Sequence, residues 1–252
     1  MKSLKVSNLC KTYIVNKHQN NVLRNINLEI FEGEMVAVMG PSGSGKTTLL
    51  YTVSGMDDLT AGKVNFFGKE LTELNANEMS DLRLQEMGFV FQQMYMLKNL
   101  SIYDNIILPA YQNQQEDRKV IQERAKVLMQ KLGINEIADN NVTEVSGGQL
   151  QRACICRSLI NHPKIIFADE PTGALNKQTS LEVTNELARI NEEGTTIMLV
   201  THDMKVACIC ERVLYIEDGH IRDEMFLGKY KDTADVRLRE RKLNDWLIKM
   251  GW

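Results

Sequence analysis

Apolar and polar positions alternate through two stretches near the start of the chain, Leu4-Lys5-Val6-Ser7-Asn8-Leu9 and Val22-Leu23-Arg24-Asn25-Ile26-Asn27-Leu28-Glu29-Ile30. A period of two predicts strands buried on one face. The polar run Asn16–Asn21 between them predicts a hairpin loop, with Tyr13 closing the first strand. Further on the pattern changes. Met35–Met39, Ile165–Ala168 and Ile197–Val200 are apolar at every position, as expected of strands covered on both faces of a parallel sheet. Thr60–Gly68 predicts a turn and a short strand, and Met87–Phe91 a strand that ends at Gln92-Gln93. Helical segments are predicted at Leu49–Val53, Ser80–Glu86 and Asn176–Glu193. The stretch Asn99–Gly133 reads as helix throughout, most strongly over Glu116–Leu132, where Val120, Ile121, Ala125, Leu128, Met129 and Leu132 recur near helical spacing. It interrupts an α/β alternation, so Met94–Asn161 is expected to be a helical insertion.

With 252 residues the chain can form one large domain, or a core domain carrying an inserted subdomain. Its 43% hydrophobic and 25% charged residues are those of a soluble globular protein. A formal net charge of −3 carries no nucleic-acid signature, and no nucleic-acid partner is expected. No apolar run approaches the roughly 20 residues that cross a bilayer. The first residues lack the apolar centre of a secretory signal. The expected location is the cytoplasm. Cys10, Cys154, Cys156, Cys208 and Cys210 form neither a zinc pattern nor an even disulfide set, and are expected to be buried free thiols.

The chemistry concentrates after the apolar run at 35–39. Gly40-Pro41-Ser42-Gly43-Ser44-Gly45-Lys46-Thr47-Thr48 follows a predicted strand and opens a predicted helix. Glycines let such a loop curl so that its N–H groups cradle phosphate oxygens, aided by the positive end of the helix. Lys46 can reach the β- and γ-phosphates, and the Thr47 hydroxyl can join the shell of a magnesium ion. A second helix N-terminus of anion-receiving type begins at Ser146-Gly147-Gly148-Gln149, where Ser146 can cap. The apolar run at 165–168 ends in Asp169 and Glu170, suited to a magnesium contact and to activation of water. The next apolar run delivers His202 to the same edge of the sheet, beyond the carboxyl ends of the strands. The aromatic face of Tyr13 can stack on a purine base.

Together these segments resemble the nucleotide-binding domain of an ATP-binding cassette (ABC) transporter, over about residues 2–228. The phosphate loop alone is shared by many NTPases; Ser146-Gly147-Gly148-Gln149 in this order and place is specific to ABC proteins. The resemblance implies a P-loop α/β core with a mostly parallel sheet, an N-terminal antiparallel β subdomain and an inserted α-helical subdomain at about 94–161. It implies ATP and Mg²⁺ as ligands. By the same resemblance Tyr13 stacks on adenine, and residues 40–48 hold the triphosphate, with Lys46 on phosphate and Thr47 on Mg²⁺. Gln92 senses the metal and the attacking water and faces the membrane partner, Asp169 orders the metal, Glu170 is the general base and His202 contacts the γ-phosphate. Two copies are expected head to tail, Ser146–Gln149 of one completing the ATP pocket of the other.

Asn176 stands where the family usually has Asp, which keeps hydrogen bonds and removes a charge. Within the family, Gly88-Phe89-Val90-Phe91-Gln92 and the run from Asp169 to Asn176 resemble the MacB-type branch, and most closely the ATPases of bacitracin- and lantibiotic-resistance transporters. That implies a separately encoded permease at the cytoplasmic membrane, an antimicrobial-peptide substrate and a sensor kinase as a further associate. Two other functions stay open: a regulatory ATPase that transports nothing, and export of lipoprotein or macrolide type. After Gly228 the tail (229–252) turns basic through Lys229, Lys231, Arg237, Arg239, Arg241 and Lys242. Val236, Leu243, Trp246, Leu247 and Met250 share one helical face there. A terminal helix docked on the body is expected, with contact to anionic lipid or the permease as the alternative.

Overall fold

In a computed structural model, residues 1–230 and 235–252 are described. Lys231 of the basic tail lies outside the described residues. β1 (Lys2–Val15) and β2 (His18–Phe31) form a long antiparallel ribbon. The expected loop at 16–21 is corrected to a turn of two residues, Asn16 and Lys17, with φ of +51° and +65°. Positive φ at both positions gives the turn whose twist suits paired strands. His18 to Asn21 instead pair with Val15 to Thr12. The sequence hides this because the ribbon tip is solvated: even Ile14 and Val15 are exposed, so no core imposes an alternation there.

The chain then runs through β3 (Met35–Met39) and α1 (Lys46–Val53), and returns to the ribbon with β4 (Ala61–Phe66) and β5 (Lys69–Glu70). These complete an antiparallel sheet in the order β2-β1-β4-β5. Next come α2 (Ala76–Glu86) and β6 (Met87–Phe91). The start of α2 lies before Ser80 because Asn75 and Glu78 form a reciprocal capping box. The long predicted helix is in fact two, α3 (Ile102–Asn113) and α4 (Arg118–Lys131). Gln114 adopts a left-handed conformation, φ +53°, and ends the first. The remaining elements are α5 (Gly147–Leu159), β7 (Ile165–Asp169), α6 (Lys177–Glu192), β8 (Thr196–Val200), α7 (Met204–Ala207), β9 (Arg212–Glu217), β10 (His220–Phe226) and α8 (Val236–Lys249).

The second sheet has the order β10-β9-β3-β8-β7-β6, and all its neighbours pair parallel except β10 with β9. Both of its faces are covered, and alternate residues of each central strand enter different cores. Met35, Ala37 and Met39 of β3, with Ile166, Ala168, Ile197 and Leu199, pack among the helices α3 to α8. Val36 and Val38, with Phe167, Met198 and Val200, pack against α1 and the antiparallel sheet. This explains the uninterrupted apolar runs. The ends of β3, β7 and β8 are thereby fixed side by side.

The last helix is held by burial and by one cation. Leu243 and Leu247 enter the core, and Trp246 Nε1 donates to Asp223 Oδ2 at 2.8 Å. The Arg239 guanidinium, 2% exposed, donates to four carbonyls: Cys208 (2.6 Å), Cys210 (2.8 Å), Leu227 (3.0 Å) and Gly228 (3.0 Å). All five cysteines are free; four are buried and Cys10 is half-buried. Burial raises the Cys154 thiol to about 11 and that of Cys208 to about 12, so both stay protonated. Arg239→Met strands the four carbonyls. It is expected to cost about 3 kcal/mol in urea unfolding, with no rescue by Arg239→Lys, which lacks the planar fork. An unchanged unfolding midpoint would contradict the anchoring role.

Candidate functional site

The loop between β3 and α1 is built by glycine conformations that side chains resist. Gly40 has φ +149°, and a Cβ there would lie 2.0 Å from the Ile216 carbonyl oxygen. Gly45 has φ +102°, with its Cβ position 2.9 Å from the Leu23 side chain. Both are therefore required. Pro41, Ser42, Gly43 and Thr47 are exposed. Among the described residues no side chain caps the start of α1 at Gly45, and its first turn holds no acidic residue, so this helix start is suited to an anion. The Lys46 ammonium folds back onto its own loop, donating to the carbonyls of Gly40 (2.9 Å) and Pro41 (2.8 Å). Ser44 Oγ is buried without a hydrogen-bond partner among the described residues. A glycine-shaped loop at an uncapped helix start, a buried hydroxyl and a lysine fit a polyphosphate.

Thr47 ties this loop to the end of β7 by donating from Oγ1 to Asp169 Oδ1 at 3.0 Å. Burial raises the Asp169 carboxyl above its ordinary value, opposed by hydrogen bonds from Thr47 and Tyr51. Burial lowers the Lys46 ammonium, opposed by the charges of Glu170 and Asp169. Tyr51, absent from the sequence reading, has its phenol raised to about 12, first by burial and then by Asp169. Its signal was its spacing: Tyr51 lies one helical turn beyond Thr47, on the same face of α1.

Glu170 follows at φ +48°, a left-handed conformation uncommon for a side-chain-bearing residue. Hydrogen bonds hold it there: its N–H donates to the Val200 carbonyl (3.0 Å), and its own carbonyl accepts from the Gly173 N–H (3.0 Å). The Glu170 carboxylate lies 2.9 Å from His202 Nδ1 and also accepts from the His202 backbone N–H at 3.4 Å. Gln92, beyond β6, crosses the same turn: a Cβ on Gly173 would lie 2.9 Å from its Nε2. Tyr13 reaches the group through its phenol, which donates to Asp57 Oδ2 at 2.5 Å and shares a hydrogen bond with Thr48 on α1.

One predicted segment stays outside this group. Ser146 and Gln149 form a capping box at the start of α5, with Ser146 N–H to Gln149 Oε1 at 3.0 Å and Gln149 N–H to Ser146 Oγ at 3.3 Å. A Cβ on Gly148 would lie 2.2 Å from Thr179 Cγ2, and one on Gly147 3.5 Å from Leu175. The segment is therefore packed on the start of α6, not on the phosphate loop. Asn176 caps that helix, its Oδ1 accepting from Thr179 N–H at 3.0 Å. A neutral amide suffices for this bond.

For a cation, Thr47 and Asp169 present hard oxygen donors of the kind magnesium takes. Among the described residues no group of three or more His, Cys, Asp or Glu could hold a metal ion by itself. Thr47 and Asp169 would thus supply part of the shell of a magnesium ion there.

The ABC transporter family profile matches residues 23–173. The chain is 40% identical over 229 residues to the bacitracin export ATP-binding protein BceA of Halalkalibacterium halodurans, covering 90% of both chains. It is also 40% identical to the lipoprotein-releasing system ATP-binding protein LolD of Wigglesworthia glossinidia brevipalpis, covering 86% of this chain and 95% of that one. Among solved structures, the dimeric ATP-binding cassette MJ0796 in a post-hydrolysis state with ADP and Pi superposes with a TM-score of 0.83. It is 36% identical, over 89% of this chain and 98% of the other.

Tyr51→Phe removes a donor from a buried carboxylate. The expected cost is about 1–3 kcal/mol in urea unfolding without magnesium. A variant as stable as the parent would show that the phenol does not hold Asp169.

Proposed function

Because the chain belongs to the ABC transporter family and is an ATPase, we propose that it powers a transporter whose membrane-spanning permease is a separate chain. The observation that carries this reading is the convergence of the Lys46 loop, the Thr47–Asp169 contact and the Glu170–His202 pair on one sheet edge. In this reading residues 40–48 bind the triphosphate and Tyr13 stacks on the base. Thr47, Asp169 and Gln92 hold the magnesium ion, which supplies charge neutralisation on the phosphates. Glu170 takes the proton from the attacking water, and its left-handed backbone aims the carboxylate. His202 orients that carboxylate and meets the terminal phosphate.

The Ser146–Gln149 helix start, turned away from its own loop, is available to a second copy. We assign it to the partner's ATP, so that the working form is a head-to-tail homodimer. The dimeric state of the related cassette supports this assignment. Residues 2–228 form the ATPase unit, with 94–161 as its helical subdomain, and the basic tail after it carries the terminal helix Val236–Lys249. No helix among the described residues is long and apolar enough to cross a membrane. We assign attachment to the inner face of the cell membrane to the permease. A groove of about 440 Å³, lined by Phe89, Phe91, Tyr95, Leu108 and Pro109, offers an apolar seat for it.

For the cargo, we propose resistance to bacitracin- or lantibiotic-type peptides, with a sensor kinase in the same complex. The similarity to the bacitracin export ATP-binding protein BceA, over 90% of both chains, supports the bacitracin part of this reading. The equal identity to LolD keeps lipoprotein release as the second reading. Deleting the gene is expected to sensitise cells to bacitracin or a lantibiotic and leave lipoprotein sorting intact; the converse would favour the second reading. Glu170→Gln is expected to slow hydrolysis by at least about a hundredfold while an ATP-bound dimer accumulates. Normal turnover in that variant would remove Glu170 from its role.

A further inference from the structure

Lys11 and Asp57 sit beside the phosphate-loop helix without reaching the phosphate or metal groups. Lys11, on β1, is only 7% exposed, an unusual place for a lysine. Its ammonium donates to Asp57 Oδ1 at 2.6 Å and to the Asp58 carbonyl. The other oxygen of Asp57 accepts from the Tyr13 phenol at 2.5 Å, and Thr48, in the first turn of α1, hydrogen-bonds that phenol too. The same ammonium lies 4.7 Å from the centre of the Tyr13 ring, over one face. Next to this cluster, Thr12 N–H donates to Thr60 Oγ1 at 2.9 Å, stapling β1 to the segment after α1.

The geometry fixes more than a side chain. A strand-end tyrosine ordinarily turns freely about its χ1 and keeps its phenol in water. Here the phenol is tied both to α1 and to the segment that follows it, and the cation occupies one ring face. Burial and the Asp57 hydrogen bond raise the phenol above its ordinary value, so it remains a donor. Against burial, hydrogen bonds from Lys11 and Tyr13 hold the Asp57 carboxyl below its ordinary value, so it remains a charged acceptor. The ring thus has a set offset from the helix whose N-terminus faces phosphate. In a nucleotide, base and phosphates are joined covalently, so a fixed offset between their two subsites is pre-organisation.

We propose that Lys11 and Asp57 are positioning residues for base recognition: they lock the Tyr13 ring at the distance from the phosphate loop that one purine nucleotide spans. This rests on the proposed reading of Tyr13 as the base-stacking residue. Asp57 and Lys11 touch neither base nor phosphate; they act through the ring. Their loss weakens ligands that carry a base and spares ligands that have only phosphates.

The test measures binding of the imido analogue of ATP and of inorganic tripolyphosphate to the full chain with magnesium. Tyr13→Ala comes first: equal affinity to the parent for the imido analogue would sink the stacking reading itself. With a loss there, Asp57→Asn is expected to weaken the imido analogue by about tenfold and tripolyphosphate by less than about twofold. Tyr13→Phe, which keeps the ring and drops the tether, should match it, and Asp57→Glu should restore part of the loss. In a Tyr13→Ala background Asp57→Asn should add nothing. Should Asp57→Asn and Tyr13→Phe both bind the imido analogue like the parent, or Asp57→Asn weaken the two ligands alike, the positioning role is overturned.

Discussion

The site depends on a sheet that is buried on both faces. Because β3, β7 and β8 are covered above and below, their polar continuations can emerge only at the strand ends, and parallel pairing puts those ends together. The phosphate loop leaves β3, Asp169 and Glu170 leave β7, and His202 leaves β8. The Thr47–Asp169 and Glu170–His202 contacts follow from that adjacency. Register does the selecting: Asp169 pairs opposite Val200, so a slip of one residue would turn its carboxylate to the other face.

The same architecture underlies the proposal that a second copy completes the pocket. α5 begins in the helical part of the molecule, and its capped start is packed on α6 through Gly148 and Thr179. Arg152 reinforces this by pairing with Glu182 at 3.1 Å. The glycine at 148 is therefore first a packing residue, since a methyl group there would strike Thr179. An N-terminus held by the neighbouring helix can serve as a rigid wall for an anion brought by another molecule. Asn176 sits at that junction as the cap of α6, and the bond it makes needs no charge.

Much of this was legible in the sequence, for physical reasons that differ between parts. The strands β3, β7 and β8 declared themselves because double burial leaves polar residues only at their ends. The phosphate loop did so because only glycine tolerates φ of +149° and +102° at Gly40 and Gly45. The hairpin tip was misread as a loop because its strands leave the core, and solvated strands carry no alternation. The helix predicted across 99–133 broke at Gln114, a residue whose side chain gives little sign of a left-handed end. Tyr51 and the Lys11–Asp57 pair were missed for another reason. Their partners are far away in sequence, and only the fold brings Asp57 to Lys11 and Tyr13, and Asp169 to Tyr51.

The central claim is that one chain holds half of a working pocket. The rate of ATP hydrolysis per chain, measured alongside molar mass by light scattering as the purified protein is diluted, tests it most directly. The account expects the rate per chain to fall as dimers dissociate. A constant rate in a species whose measured mass is that of one chain would contradict it.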